Sequence, residues 1–100
     1  MKLIKFSPEA RDEILAALRW WSLNRDKAPH RLRQDLRRAL RILAVSPGVG
    51  AAAPGPPPEA GIRFLYLRGS RYLLYYSVDA EQVEVLRFWQ ASQVKRPFRP

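Results

Sequence analysis

Arginine and tyrosine are the residue types here that could do chemistry, and they occur together from residue 63 onward. This region contains Arg63, Arg68, Arg71, Tyr72, Tyr75, Tyr76 and Arg87, followed by Lys95 and Arg96. Arginine clamps phosphates and stabilises the charge of a phosphoryl transition state, and aromatic rings beside it can stack on RNA bases. A guanidinium stays protonated, so a metal-free nuclease would also need tyrosine, lysine or an acid to move protons.

A purely structural interpretation of the tyrosines competes with the chemical one. Tyr72 and Tyr76 alternate with Leu74 and Val78, a pattern typical of a strand face that packs into a core. Other catalytic arrangements have little support. The single histidine, His30, is expected to be a surface or capping residue, and the acids are dispersed. No HExxH, CxxC or glycine-rich phosphate loop occurs, so we predict no metal and no cofactor.

The charge of the chain points to a polyanionic partner. Lysine and arginine total 18 against 9 acids, which gives a net charge of +9 and a pI near 10.9. Such an excess predicts attraction to nucleic acid, an acidic protein or an anionic membrane. The alternative is that the gene comes from a GC-rich genome, which encodes many arginines without any such partner. The absence of cysteine suits a reducing compartment, and the N-terminus matches neither a signal peptide nor a membrane span. We therefore predict a cytoplasmic protein of one domain with no membrane partner.

The stretch from 62 to 89 is expected to position the arginines and tyrosines. Three apolar-aromatic runs, separated by Arg-Gly-Ser at 68–70 and Asp-Ala-Glu at 79–81, predict an antiparallel meander. Its second strand is apolar on both faces, which indicates a central strand covered on one side by helices and on the other by a further part of the chain or a partner. Residues 2–6 predict one further strand that joins the sheet.

Two amphipathic helices are expected to cover one face of this sheet. Ser7-Pro8-Glu9 reads as a helix start, and Trp21 falls on the apolar stripe while Trp20 falls at its boundary. Pro29 can open the second helix, whose apolar stripe is Leu32, Leu36, Ala39, Leu40 and Leu43 and whose arginines fit a solvated face. Residues 46–61 contain five prolines and four glycines and predict a flexible surface loop.

In the order and spacing of its motifs, the chain resembles the RelE/ParE superfamily of toxins from type II toxin–antitoxin systems. The family's F-S-P-x-A-x-x-D/E-I pattern is similar to residues 6–14, and its A-L-x-x-L-x-x-x-P pattern is similar to residues 39–47. The meander pattern is similar to residues 61–63, 72–79 and 83–89. The resemblance implies an α+β fold in β-α-α-β-β-β order, with a helical hairpin packed on a small, mainly antiparallel sheet.

Two activities compete within this superfamily. ParE-like members poison DNA gyrase, whereas RelE-like members cleave mRNA on the ribosome without a metal. RelE-like nucleases tend to place arginine where Tyr72 stands, and many members have histidine where Gln90 stands, so the resemblance favours the ParE-like activity. The alternatives left open are the mRNA endonuclease and an inactive or non-toxin basic binding module.

The resemblance and the residue types together define candidate sites. The candidate functional surface comprises Arg63, Arg71, Arg87 and Gln90, and the candidate nucleic-acid contacts are Arg68, Lys95 and Arg96. The resemblance also implies a cognate antitoxin, acidic at the interface, in addition to gyrase or the ribosome with its mRNA as target. Candidate antitoxin contacts are Leu15, Trp20, Leu23, Arg37 and Arg41. A homodimer or a toxin–antitoxin hetero-oligomer is compatible with this expectation.

Overall fold

A mixed five-stranded sheet forms the frame of the molecule. The computed structural model describes residues 1–25 and 28–92. The strands are β1 (Leu3–Phe6), β2 (Ala51–Ala52), β3 (Arg63–Leu67), β4 (Tyr72–Val78) and β5 (Gln82–Gln90). They lie in the order β1-β5-β4-β3-β2, with β1 parallel to β5 and all other neighbours antiparallel. The predicted α+β fold is confirmed, and β2 is an additional short strand that the sequence patterning did not predict.

Two helices cover one face of the sheet, as the apolar stripes predict. Helix α1 (Pro8–Asn24) begins at the predicted place, because the Ser7 hydroxyl accepts a hydrogen bond from Ala10 N–H at 3.0 Å. The same hydroxyl donates to the Leu86 carbonyl at 2.8 Å, which ties the start of the helix to β5. Helix α2 (Arg31–Val45) begins two residues after Pro29, since residues 29 and 30 form a turn rather than helical backbone.

The main core lies between the helices and this face of the sheet. Trp21 is buried there while Trp20 is 42% exposed, as the helical spacing predicts. The core contains the predicted stripes together with Leu67, Tyr72, Leu74, Tyr76, Val83, Val85 and Phe88 from the sheet. Tyr76 has no exposed surface and Tyr72 is stacked on Phe88 with ring centroids 4.8 Å apart. Both tyrosines are therefore core residues, as the alternation predicts.

The opposite face of β4 carries a second, smaller apolar cluster. Leu73 and Tyr75 are buried there together with Ala53, which follows β2, and Phe64 and Trp89 pack against them. The proline-rich region thus contributes to the cover of the central strand. Residues 46–61 hold two short 3₁₀ turns, at Pro47–Val49 and Pro58–Ala60, on either side of β2. Among the described residues, no helix has the length and apolar character needed to cross a membrane.

Candidate functional site

The candidate residue Arg63 lies at the β2 end of strand β3, on the face that the helices cover. Its Cα lies opposite those of Ala52 and Tyr76 on the two neighbouring strands. Arg63 is an exposed residue, and its guanidinium donates a hydrogen bond to the Gly50 carbonyl at 2.7 Å. One function of Arg63 is therefore to hold the segment that leads into β2 against the sheet.

Arg87 is engaged by an acid from helix α1. The Glu13 carboxylate accepts hydrogen bonds from Arg87 Nη2 at 2.6 Å and from Arg87 Nε at 3.1 Å. The Arg87 guanidinium also lies 5.4 Å from the centre of the Trp89 ring. The hydrogen bonds to Glu13 raise the pKa of Arg87 above its ordinary value, because they favour the charged form. An anion that approached Arg87 would compete with Glu13.

Arg68 and Arg71 lie in the exposed turn between β3 and β4. Arg71 has a φ of 64°, a left-handed conformation that is uncommon outside glycine, and its N–H donates to the Leu67 carbonyl at 2.7 Å. The turn is anchored to α2, since the buried Asp35 carboxylate accepts from the Ser70 N–H at 2.6 Å. Both arginine side chains are therefore presented by a turn whose backbone is well held.

Gln90 lies in a cleft between α1 and the end of β5. The cleft has a volume of about 400 Å³ and is lined by Glu13, Ala16, Ala17, Trp20, Tyr72, Phe88, Trp89 and Gln90. Tyr72 contributes the only phenol among these lining residues. Burial raises its pKa, and the nearby positive charge of Arg25 only partly opposes that effect. Tyr72 therefore stays protonated at neutral pH, and Gln90 cannot transfer a proton.

The predicted functional surface is spread over the sheet rather than gathered at one point. Arg63 is at one end of β3 and Arg68 just past the other, about 16 Å apart at the usual rise of ~3.3 Å per residue. Arg87 faces α1 at the far side of β4. Lys95 and Arg96 lie outside the described residues. In the part of the chain that is described, no three His, Asp or Glu side chains come together to hold a metal ion.

The predicted antitoxin contacts lie on exposed positions of the helical hairpin. Leu15 is 56% exposed and Leu23 is 73% exposed, and both point away from the buried stripe of α1. Trp20 lies beside the cleft and carries the Arg25 guanidinium 5.3 Å from its ring centre. Arg37 and Arg41 are exposed on the outward side of α2. These positions are accessible, and their role in binding stays a prediction.

Sequence reasoning missed two acids and one groove. Glu13 holds β5 and Asp35 holds the β3–β4 turn. Asp35 is the single acid of the strongly basic helix α2 and lies on its inward-facing side, which is a signal that periodicity alone could have given. The groove lies between α2 and β3 and is lined by Asp35, Arg38, Ala39, Ile42 and residues 65–69. Only the sheet order brings these two elements side by side, so the groove has no signature in the sequence.

A family model described as "ParE toxin of type II toxin-antitoxin system, parDE" matches residues 4–95. Comparison with curated protein sequences finds no match.

Solved structures share the fold at low sequence identity. A chain from the chromosomal ParDE system of P. aeruginosa is 20% identical with a TM-score of 0.69, covering 92% of this chain and 98% of that one. The isolated RelE toxin of E. coli is 20% identical with a TM-score of 0.57 (95% and 89% covered). The conserved hypothetical protein HP0894 of Helicobacter pylori is 14% identical with a TM-score of 0.55 (95% and 100% covered). Because the family model spans nearly the whole sequence, this chain belongs to the ParE toxin family of type II toxin–antitoxin systems.

Proposed function

We propose that this toxin arrests bacterial growth through DNA gyrase, as ParE-like members do, and that a cognate antitoxin with an acidic interface neutralises it. One observation supports gyrase rather than mRNA as the target. The arginines and tyrosines of the sheet that a nuclease would use are already hydrogen-bonded or buried. Arg63 is bonded to the Gly50 carbonyl and Arg87 to Glu13. Tyr72 and Tyr76 are buried, and burial raises the pKa of both phenols. Among the described residues, these groups make a poor proton-transfer site.

The mRNA endonuclease is the second candidate, and one observation favours it. Arg68 and Arg71 are exposed on an anchored turn, and within residues 1–25 and 28–92 neither forms an ion pair that a phosphate would first have to break. Such a site would bind RNA, but it would still need a group to exchange protons within reach. The third candidate is a basic binding module without toxic activity, and an experiment has to distinguish it from the two toxins.

Expression from a tightly repressed promoter in bacteria separates the three candidates. We expect growth arrest with induction of the SOS response, and purified protein should make gyrase cleave supercoiled plasmid. The control reaction without gyrase should leave the plasmid intact. Arrest with mRNA cut on ribosomes and no SOS induction would support the endonuclease instead. No arrest by a folded protein would contradict both and leave the binding module.

Alanine substitution of Arg63 and Arg87 tests whether the surface needed for toxicity lies on the β3–β5 meander. We expect that Arg63→Ala or Arg87→Ala weakens growth arrest while the circular dichroism spectrum stays that of the natural protein, since both side chains reach the surface. Arg33→Ala, an exposed arginine on α2, is the matched control and should remain toxic. If toxicity survives both sheet substitutions, the working surface lies elsewhere than on the meander.

A further inference from the structure

One end of the sheet brings together four chain segments that are far apart in the sequence. They are the β3–β4 turn at 68–71, the end of β5 with residues 91–92, the last turn of α1 with residue 25, and residues 28–31. The Ala91 N–H donates to the Arg71 carbonyl at 2.9 Å, and the Trp21 indole N–H donates to the Ala28 carbonyl at 2.7 Å. The ring centroids of Trp21 and Tyr72 lie 6.4 Å apart. These contacts hold the four segments side by side.

Four exposed arginines lie on these segments, and we call the surface that they form the arginine end: Arg25, Arg31, Arg68 and Arg71. The Arg31 side chain passes along the turn, since a Cβ at Gly69 would lie 2.7 Å from Arg31 Cδ and 2.9 Å from Arg31 Nη1. The acid that holds the turn, Asp35, is buried, and its carboxylate accepts from the Ser70 N–H at 2.6 Å. Part of the Asp35 charge is thus already used by the backbone, and the exposed surface of this end is cationic.

The charges of the arginine end have few partners within the protein. Within residues 1–25 and 28–92, the side chains of Arg31, Arg68 and Arg71 make no hydrogen bond and no ion pair. The Arg25 guanidinium lies 5.3 Å from the Trp20 ring centre and 5.4 Å from the Trp21 ring centre, a contact that leaves its charge in place. Four guanidiniums are therefore available to an anionic ligand.

The opposite end of the sheet has no such excess of cations. Strand β4 spans about 20 Å at the usual rise of ~3.3 Å per residue, and the β4–β5 turn beyond it carries Asp79 and Glu81. The Asp79 carboxylate accepts from the N–H groups of Glu81 and Gln82, and these hydrogen bonds lower its pKa, so it is charged at neutral pH. The positive charges of Lys2 and Lys5 lie close to this carboxylate. A polyanion is therefore drawn to the arginine end rather than to this one.

The surroundings of the arginines favour the backbone of a duplex over other polyanions. Single strands are bound by free aromatic faces on which bases stack, but the Trp20 ring already carries the Arg25 guanidinium and Tyr72 is buried. A protein interface has an apolar centre, but none of the exposed large apolar side chains lies in residues 28–41 or 67–77. Exposed guanidiniums with polar neighbours are suited to phosphates, which they bind with paired N–H groups.

We propose that the arginine end binds the phosphate backbone of double-stranded DNA without regard to base sequence. The proposal rests on the gyrase activity under the proposed function, in which this DNA is the duplex that gyrase holds. Arg31, Arg68 and Arg71 would each contact a phosphate, and Arg25 would add a fourth contact at the margin. Binding would place the toxin on the DNA beside the enzyme.

The salt dependence of binding tests the number of phosphate contacts. The probe is a short fluorescein-labelled DNA duplex, titrated with the full-length protein and followed by fluorescence anisotropy. Four contacts predict a slope of about −3.6 for log K against log salt, so the affinity should fall about 150-fold between about 50 and 200 mM salt. Arg31→Gln with Arg68→Gln removes two contacts and should reduce the slope to about −1.8.

Two cations far from the arginine end give the matched control. Lys5→Gln with Arg11→Gln removes the same charge, and Arg11 precedes Arg25 by about 21 Å along α1 at 1.5 Å per residue. The substituted side chains of both double variants are exposed, so circular dichroism should show that both fold. The control should keep the slope of the natural protein. Equal slopes for the two double variants, or no binding of the duplex by the natural protein at low salt, would overturn the proposal.

Competition identifies the class of polyanion. We expect an unlabelled duplex to displace the probe more effectively than single-stranded RNA or poly-L-glutamate at the same concentration of charge. Stronger displacement by single-stranded RNA would contradict the duplex and support the endonuclease. Displacement by poly-L-glutamate as effective as that by the duplex would assign the surface to an acidic protein instead.

Plasmid cleavage by gyrase separates this proposal from the choice of target. We expect the Arg31→Gln/Arg68→Gln variant to need about tenfold more protein than the Lys5→Gln/Arg11→Gln variant for the same cleavage. If the natural protein binds the duplex with the expected slope but causes no cleavage by gyrase, the gyrase target fails and the DNA surface stands. Equally effective cleavage with the two double variants would show that the toxin acts on gyrase without this surface, and would overturn its role there.

Discussion

Replacing Tyr76 by phenylalanine is expected to lower the free energy of unfolding by about 2–4 kcal/mol, because the buried Gly50 N–H and the partly buried Pro47 carbonyl lose their partner. The Tyr76 hydroxyl accepts from the Gly50 N–H at 2.9 Å and donates to the Pro47 carbonyl at 2.7 Å. Burial is the main cause that raises the pKa of Tyr76, so the hydroxyl keeps the proton that it donates. Urea denaturation followed by circular dichroism would measure the loss.

The effect of Tyr76→Phe should also be local. The hydroxyl links the central strand to the start of the proline-rich segment, where a Cβ at Gly50 would lie only 2.5 Å from it. We therefore expect faster amide exchange at Gly50 and Ala53 than at residues in the middle of β5. Tyr66→Phe, which removes an exposed hydroxyl from the neighbouring strand, is the control and should be near neutral. Equal stabilities for the two variants would contradict the structural role of the Tyr76 hydroxyl.

Replacing Glu13 by alanine is expected to cost about 2–3 kcal/mol. The carboxylate accepts from the Phe88 N–H at 2.8 Å and pairs with Arg87, so its loss leaves a backbone donor and a guanidinium without their acceptor. A hydrogen bond to a charged group contributes about 1.5–3 kcal/mol. The ion pair adds no more than about 1 kcal/mol, since both side chains are partly exposed, at 30% for Arg87 and 21% for Glu13. Thermal or urea denaturation would measure the sum.

Two further variants divide the contribution of Glu13 between its partners. Glu13→Gln retains an oxygen for the Phe88 N–H but not the charge, so it should recover more than half of the stability that Glu13→Ala loses. A double-mutant cycle of Glu13→Ala with Arg87→Ala should give a coupling near 1 kcal/mol. A glutamine variant as unstable as the alanine variant would show that the charge, and not the backbone bond at the open edge of β5, dominates.

The elements themselves followed from local patterns. The helical spacing predicts that Trp21 lies on the buried side of α1, and the Ser7 hydroxyl caps the helix where the sequence places its start. The two-sided apolar pattern of Tyr72–Val78 predicts a central strand, and β4 lies between β3 and β5. Each of these predictions depends on residues within one or two turns or on one strand, so the necessary information is contiguous in the chain.

The candidate site was predicted less completely than the fold, because the hydrogen-bond partners of its arginines are distant in sequence. From the sequence, Arg63 and Arg87 are exposed cations on a sheet that could hold an anion. In the structure each is bonded to an acceptor distant in sequence, 13 residues away for Arg63 and 74 for Arg87. Such pairings depend on strand order and register, and in β5 the register itself shifts between the partners of Tyr75 and Tyr76.

The sequence by itself therefore determined the type of fold, the buried stripes, the basic character and the family to which the chain belongs. Only the tertiary structure decided which charges are already balanced and which backbone edges remain open. Strand β2 stops after two residues and, among the described residues, leaves Tyr66 without a hydrogen-bond partner on that side of β3, whereas Glu13 reaches across to Phe88 and closes the edge of β5. The difference arises because periodicity is a local property, while the pairing of a strand edge depends on which distant segment the fold brings beside it.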